Sequence, residues 1–225
     1  MTDQIQQSKV HPPNPHNTCR RTIILITLIA ALAAAAIWLA HAAQNDTVPK
    51  RWGVVEPGLI YRSGQSSAGL IRKILQEHNI AVIVDLTGDD SANKDQQVEK
   101  QAAAELGIKI LRYRLQGNGT GDIENYARAI AAIVDAKNNG KPVLVHCGAG
   151  AQRTGGVIAC YRVLVEKETP SFAYAEMMRY DWNPRTDTVL LTYINGHMAE
   201  LASLLKQMRV IDRIPDPLPF IGNSS

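Results

Sequence analysis

"VLVHCGAGAQRTGG", residues 143–156, decides how this chain is read. An apolar, β-branched run ends at Cys147, and Arg153 follows six positions later across small residues. Runs of that kind mark strands buried on both faces of a parallel sheet. "TGGVIACYRVLVEK" then reads as a helix. The loop therefore leaves the C-terminal end of a parallel strand and enters a helix N-terminus. Open α/β sheets bind ligands at that edge, and a helix N-terminus offers N–H groups to an anion. Gly148, Ala149, Gly150 and Ala151 are small enough for the backbone N–H groups to converge into a nest, which Gln152 and Arg153 complete. The same field favours a thiolate, so Cys147 is expected to be a nucleophile with a lowered pKa. Arg153 adds a planar fork matched to two phosphate oxygens. A plain buried cysteine would explain neither the arginine nor the glycines.

Working outward, strands alternate with helices. "WGVV" and "LIYR" are strands around the turn Glu56-Pro57-Gly58. Ser66 or Ser67 is expected to cap a helix running to about His78. Residues 80–86 form a buried strand, "DQQVEKQAAAEL" a helix ended by Gly107, and 108–115 the next strand. A glycine-rich loop, "QGNGTGD", leads into a helix over 122–137, and "PVLVH" is the strand before the quoted loop. Ser171 is expected to cap a further helix, and one last helix is expected over 187–208. The expected fold is α/β, a central mostly parallel sheet flanked by helices.

"HCGAGAQRT" fits the pattern HCxxGxxR(S/T) at His146, Cys147, Gly150, Arg153 and Thr154. In this the chain resembles the cysteine-dependent protein tyrosine phosphatase superfamily. "GLIYRSGQ", 58–65, looks like its compact dual-specificity branch, most similar to bacterial exported or membrane-linked members. The resemblance implies a two-step hydrolysis. Cys147 attacks phosphorus to give a phosphocysteine. Arg153 and the loop 148–153 hold the equatorial oxygens, Thr154 hydrogen-bonds the departing thiolate, and His146 orients the loop. An aspartic acid protonates the leaving oxygen and later activates water. No metal and no cofactor are implied.

In the superfamily that acid follows the strand before the long helix, and Asp122 matches the place. Asp at a helix start is also favoured simply as an N-cap. Asp89 and Asp90, after the strand 80–86, are second candidates; Asp181 and Asp187 in "DWNPRTD" are less favoured. Arg62 and Ser63 either brace the loop or form a simple strand-edge pair. Cys160 is expected in the core, and His78 and His197 at the surface. None of Gly148, Ala149, Ala151 and Gln152 is basic, which favours a substrate with one phosphate, since each added phosphate needs its own countercharge. A phosphotyrosine protein is the first expectation, phosphoserine or phosphothreonine included. A lipid or small phosphoester and an inactive phosphate-binding module are the alternatives.

The first 21 residues are polar, and Thr22 to Ala40 run without a charge behind Arg20 and Arg21. About 20 apolar residues cross a bilayer core, and flanking arginines favour a cytoplasmic N-terminus. The expected organisation is a cytoplasmic tail 1–21, a transmembrane helix 22–42, a linker 43–51, a phosphatase domain 52–209 and a Pro-rich tail 210–225. The catalytic domain would then lie in the periplasm. A cleaved signal peptide ending at Ala40-His41-Ala42 is the alternative, giving an exported domain. Most of the formal charge of +3 comes from the first 43 residues, so the rest is nearly neutral. That excludes a nucleic-acid surface, which is basic and clustered. Cys19, Cys147 and Cys160 lack a CxxC spacing, so no zinc ribbon or disulfide framework is expected. The chain is expected to act as a monomer.

Overall fold

Val143–Cys147 forms the central strand because all five of its side chains find buried neighbours. The computed structural model describes residues 26–38 and 48–222. Residues 26–38 are helical (α1). The other elements are β1 (Gly53–Glu56), β2 (Ile60–Gly64), α2 (Ile71–Glu77), β3 (Val82–Asp85), α3 (Lys94–Leu106), β4 (Lys109–Arg112), α4 (Ile123–Asn138), β5 (Val143–Cys147), α5 (Gln152–Leu164), α6 (Pro170–Arg179), α7 (Thr188–Gly196) and α8 (Met198–Gln207).

The sheet order is β1-β2-β5-β3-β4. β1 runs antiparallel to β2; the other three pairings are parallel. The expected mostly parallel α/β sheet is therefore present. Strand side chains alternate between faces. On one face Tyr61, Ile83 and Leu144 meet Ile71 and Leu75 of α2 and Ala102 and Ala103 of α3. On the other, Val84, Val143, Val145 and Cys147 meet α4, α5, α7 and α8. Each fully buried Val or Ile contributes about 1.5–3 kcal/mol relative to exposure.

Several local expectations change. Leu70, rather than Ser66 or Ser67, holds the N-cap position of α2, and the Ser67 carbonyl accepts from the Leu70 and Ile71 N–H groups. Thr169, not Ser171, caps α6, because Pro170 takes the first helical position and fixes its φ. The last helix is two, parted at His197, beside Gly196, whose lack of a side chain weakens helix interiors. α5 begins at Gln152, two residues early, so the end of the loop is already helical. The tail turns back: Asn195 holds Ile221 through two hydrogen bonds of 2.9 Å, and Ile221 is buried.

The chain divides into two units, Met1–Gln44 and Asn45–Ser225. In the first, Ile26, Leu28, Leu32, Ile37 and Trp38 are exposed. Among the described residues no helix is long and apolar enough to cross a membrane. The tail 1–21, Cys19 and both ends of the segment 22–42 lie outside the described residues.

Candidate active site

The loop after β5 is held by its carbonyls. Gln65 N–H donates to Gly148 O at 3.1 Å, Arg51 Nη1 to Ala149 O at 2.7 Å, and Arg62 Nη2 to Gly150 O at 2.7 Å. In a trans peptide the C=O and the following N–H point opposite ways. Three carbonyls drawn outward therefore turn the N–H groups of 149–151 inward. Gly150 N–H accordingly donates to Cys147 Sγ at 3.2 Å. Gly150 has φ +82°, and a Cβ there would lie 2.5 Å from Gly64 N; a Cβ on Gly64 would lie 2.7 Å from Ala149 O. Only two glycines let these backbones meet. No side chain caps α5 at Ala151, so its first N–H groups and positive dipole end are left for an anion.

Cys147 is 1% exposed. Burial by itself pushes its thiol up; the Thr154 hydroxyl, Arg153 and the N–H groups of Thr154 and Gly150 outweigh it, and the pKa falls below the ordinary value. The Thr154 hydroxyl is fully buried and has no hydrogen-bond partner in the protein, and it contributes to lowering the Cys147 pKa. Arg153 Nε is also buried without a protein partner, as a group meant for a ligand would be. Burial pushes the Cys160 thiol far up, which leaves it an inert core residue. His146 Nε2 lies 3.2 Å from Glu99 Oε1. Burial opposes charge on His146, but Glu99, Asp85 and Cys147 overcome it and raise the pKa to about 9.

Two braces were only half legible in sequence. Arg62 is fully buried, and its guanidinium lies 3.9 Å from the Tyr180 ring centroid; burial lowers its pKa to about 10, which keeps it charged at neutral pH. Arg51 grips Ala149 O while its Nε pairs with Asp181 at 3.0 Å. Nothing in its local sequence marks Arg51, since the contact spans 98 positions.

The candidate acids fare differently. Asp122 is exposed and caps α4, its Oδ1 accepting from Glu124 N–H at 2.9 Å. Its loop abuts the anion loop: a Cβ on Gly119 would lie 3.4 Å from the Gln152 backbone. Tyr126 and Tyr193 hydroxyls fasten that loop by donating to Gly119 O and Gly121 O. Asp89 pairs with Lys100 and Arg112, and those cations hold its carboxyl below the usual range. Asp90 accepts from Ala92 N–H. Asp187 accepts from the Gln152 side chain. Asp85 is buried against Arg112 at 2.8 Å. His78, expected at the surface, stacks on Trp52 and Tyr61; His197 packs on Tyr193. Trp182 is buried edge-on to Tyr174. A cavity of about 780 Å³ lies at the far end of α5 among Val163, Lys167, Ile211 and Pro215.

A family model described as "DSP-PTPase phosphatase fused to NAD+ Kinase" matches residues 43–187. The RNA/RNP complex-1-interacting phosphatase homolog of Caenorhabditis elegans is 29% identical over 110 residues, 47% of this chain and 45% of that protein. The chain thus spans about half the length of the curated relatives it matches. Among solved structures, P. aeruginosa TpbA superposes with a TM-score of 0.57 at 22% identity, covering 71% of this chain and 91% of TpbA. The catalytic core of the PP-IP phosphatase Siw14 from S. cerevisiae gives 0.56 at 18% identity, covering 76% and 97%. At these identities the superpositions speak for the fold.

Proposed function

The chain belongs to the DSP-PTPase family of cysteine-dependent phosphatases, and from that premise we propose that it hydrolyses phosphomonoesters, with phosphotyrosine on a protein as the first substrate class. The observation that carries the reading is the outward tethering of three consecutive carbonyls, which aims the loop's N–H groups at the Cys147 sulfur. In the proposed reaction the thiolate attacks phosphorus and the alkoxide or phenoxide leaves, taking a proton from Asp122. Arg153 and the inward N–H groups hold the three equatorial oxygens, a preorganised charge complement that needs no rearrangement. Asp122 then takes a proton from water, which attacks the phosphocysteine. Phosphate departs, and Thr154 donates to the returning thiolate.

A single-phosphate substrate fits the uncharged side chains at 148–152. A TpbA variant has been solved with phosphotyrosine bound, which supports the tyrosine reading by analogy. The second reading is a multiply phosphorylated small molecule. Arg51, an arginine outside the loop but attached to Ala149, favours it, as does the resemblance to a PP-IP phosphatase. Assay of the full chain on phosphotyrosyl peptides, phosphoseryl peptides, phosphoinositides and inositol pyrophosphates separates the two. Cys147→Ser should abolish turnover of p-nitrophenyl phosphate, by at least about 10⁴-fold. Activity surviving that change would sink the mechanism.

The charge-free segment from Thr22 and the exposed apolar side chains of 26–38 support a membrane anchor with the catalytic unit in the periplasm. Protease added to spheroplasts should digest residues 45–225 and leave the N-terminal tail intact. Release of the chain by alkaline carbonate would overturn the anchor.

A further inference from the structure

We infer that Glu99, together with Asp85, is a positioning residue that keeps a proton on His146, on the opposite face of β5 from the nucleophile, and so sustains the Cys147 thiolate. The inference deepens the proposed function and rests on Cys147 being the attacking atom.

Strand alternation sets up the arrangement. On β5, Leu144 and His146 face α2 and α3, whereas Val145 and Cys147 face α4 and α5. On β3, Ile83 and Asp85 take the same side as His146. The parallel register puts Asp85 directly opposite His146, with Ser63 of β2 opposite it on the other flank. α3 crosses this face on the line Gln96, Glu99, Ala102 and Ala103. One oxygen of Asp85, one of Glu99 and one nitrogen of His146 therefore lie within 4.8 Å of one another, all buried.

The two carboxylates are not equivalent. Asp85 is fully partnered: Oδ1 accepts from Thr87 N–H at 2.8 Å and its hydroxyl at 2.7 Å, and Oδ2 accepts from Arg112 Nε at 2.8 Å. Glu99 Oε1 accepts from Gln65 Nε2 at 3.2 Å and faces His146 Nε2 at the same distance. Glu99 Oε2 is buried without a partner. A buried carboxylate needs a positive neighbour, and among the described residues His146 is the cation within ion-pair distance of Glu99. The groups facing His146 are thus Glu99 from α3, Asp85 from β3 and the Ser63 hydroxyl from β2, while Cys147, next on its own strand, points to the other face. Arg112 pairs with Asp85 and also interacts electrostatically with Glu99. The carboxylates raise the His146 pKa to about 9. The charged imidazole is one peptide away from Cys147, and it favours the thiolate there. A metal ion in this cluster would find Asp85 already occupied and only Glu99 and His146 to bind it, fewer ligands than metal sites use.

The test reads the thiol rather than turnover. Full-length chains carrying Glu99, Glu99→Gln or Glu99→Asp are alkylated with iodoacetate across a pH series, and the Cys147 peptide is quantified by mass. Glu99→Gln should move the alkylation midpoint up by about one pH unit, a roughly tenfold loss of thiolate below it. It should lower kcat on p-nitrophenyl phosphate and leave KM near its original value. Glu99→Asp should recover most of the shift. Superimposable alkylation curves would overturn the inference. If Glu99→Gln does not fold, nitrogen NMR of the unaltered chain decides: an imidazolium at His146 above neutral pH supports it, a neutral ring overturns it. Zinc retained by the unaltered chain and lost from Glu99→Gln would make the cluster a metal site and also overturn it. A chain that alkylates as expected yet cleaves no phosphoester would sink the enzymatic reading while leaving this one standing.

Discussion

Arg62 reaches Gly150 from inside the core, Nη2 to carbonyl oxygen at 2.7 Å, with no part of Arg62 exposed. That bond fixes the last of the three tethered carbonyls, just ahead of the N-terminus of α5. Arg62→Met keeps the bulk and removes the donor, leaving a buried carbonyl unpaired at a cost of about 1–3 kcal/mol. Thermal melts should show the loss. Steady-state kinetics should show kcat down by about tenfold or more, with binding less affected, because the loop is then misplaced in the transition state. Arg62→Lys should fall between, since an ammonium neither forks nor stacks on Tyr180 as a guanidinium does.

Arg153 carries a different expectation, because its Nε has no partner in the protein and its fork is free for substrate. Arg153→Lys retains the charge and loses the bidentate geometry. Its kcat should drop by roughly 10²–10³-fold, while melting stays near that of the unaltered chain. A large loss of stability instead would mean that Arg153 is structural.

Asp122 caps α4 through Oδ1, so removing its charge tests two roles at once. Asp122→Asn still accepts from the Glu124 N–H and preserves the cap. It should nevertheless lower kcat by roughly 10²–10⁴-fold on phosphotyrosyl peptide, whose leaving group needs a proton, and by less on p-nitrophenyl phosphate. The alkaline limb of the pH–rate profile should flatten. Asp187→Asn is the comparison, since Asp187 touches Gln152 of the loop. If Asp187→Asn shows the large loss and Asp122→Asn does not, the acid is Asp187.

Cys147 and Arg153 were legible because their chemistry is contiguous: a strand, a turn of small residues and a helix set the geometry locally. The parallel sheet was legible for a similar reason, since Val143–Val145 and Val82–Val84 are apolar without alternation. Glu99 was not. "DQQVEKQAAAEL" reads simply as a helix, with nothing to mark its inward line, which carries Gln96 and Glu99 beside Ala102 and Ala103. A helix whose buried face is polar reveals itself only when the sheet order brings Asp85 and His146 beneath it. Arg51 and Gln65 were hidden for the same cause, because strand order rather than local sequence puts them against the loop.

His146 should give stability a pH dependence of definite sign. Its folded pKa is raised from 6.5 to about 9, so its contribution is fully present below 6.5 and lost as pH rises through about 9. Cys147 runs the other way: its lowered pKa makes its contribution present above the ordinary value of 9.0 and lost as pH falls through the folded one. A His146→Asn variant lacks the first dependence and, with the imidazolium gone, weakens the second. Urea midpoints of the two chains should therefore converge as pH climbs from 6.5 past about 9. A difference that stays constant over that window would mean His146 is neutral in the fold.

Arg162 offers the clearest test of what holds the helical layer to the sheet. Its Nε and Nη2 bind Glu176 of α6 at 2.8 and 3.1 Å, and Nη2 also donates to Val55 O of β1 at 3.0 Å. Glu166 takes the remaining nitrogen. Breaking a buried pair from one side leaves an uncompensated charge, whereas replacing both members by apolar groups is often neutral or better. Glu176→Ala should therefore cost about 3 kcal/mol in urea unfolding, the low end of the usual range because Glu166 still faces the guanidinium. The double variant Arg162→Met with Glu176→Leu should do no worse and recover up to about 2 kcal/mol, the orphaned Val55 carbonyl retaining about 1–3 kcal/mol of the loss. A double variant worse than Glu176→Ala alone would show that the charge pair itself stabilises the junction of β1, α5 and α6.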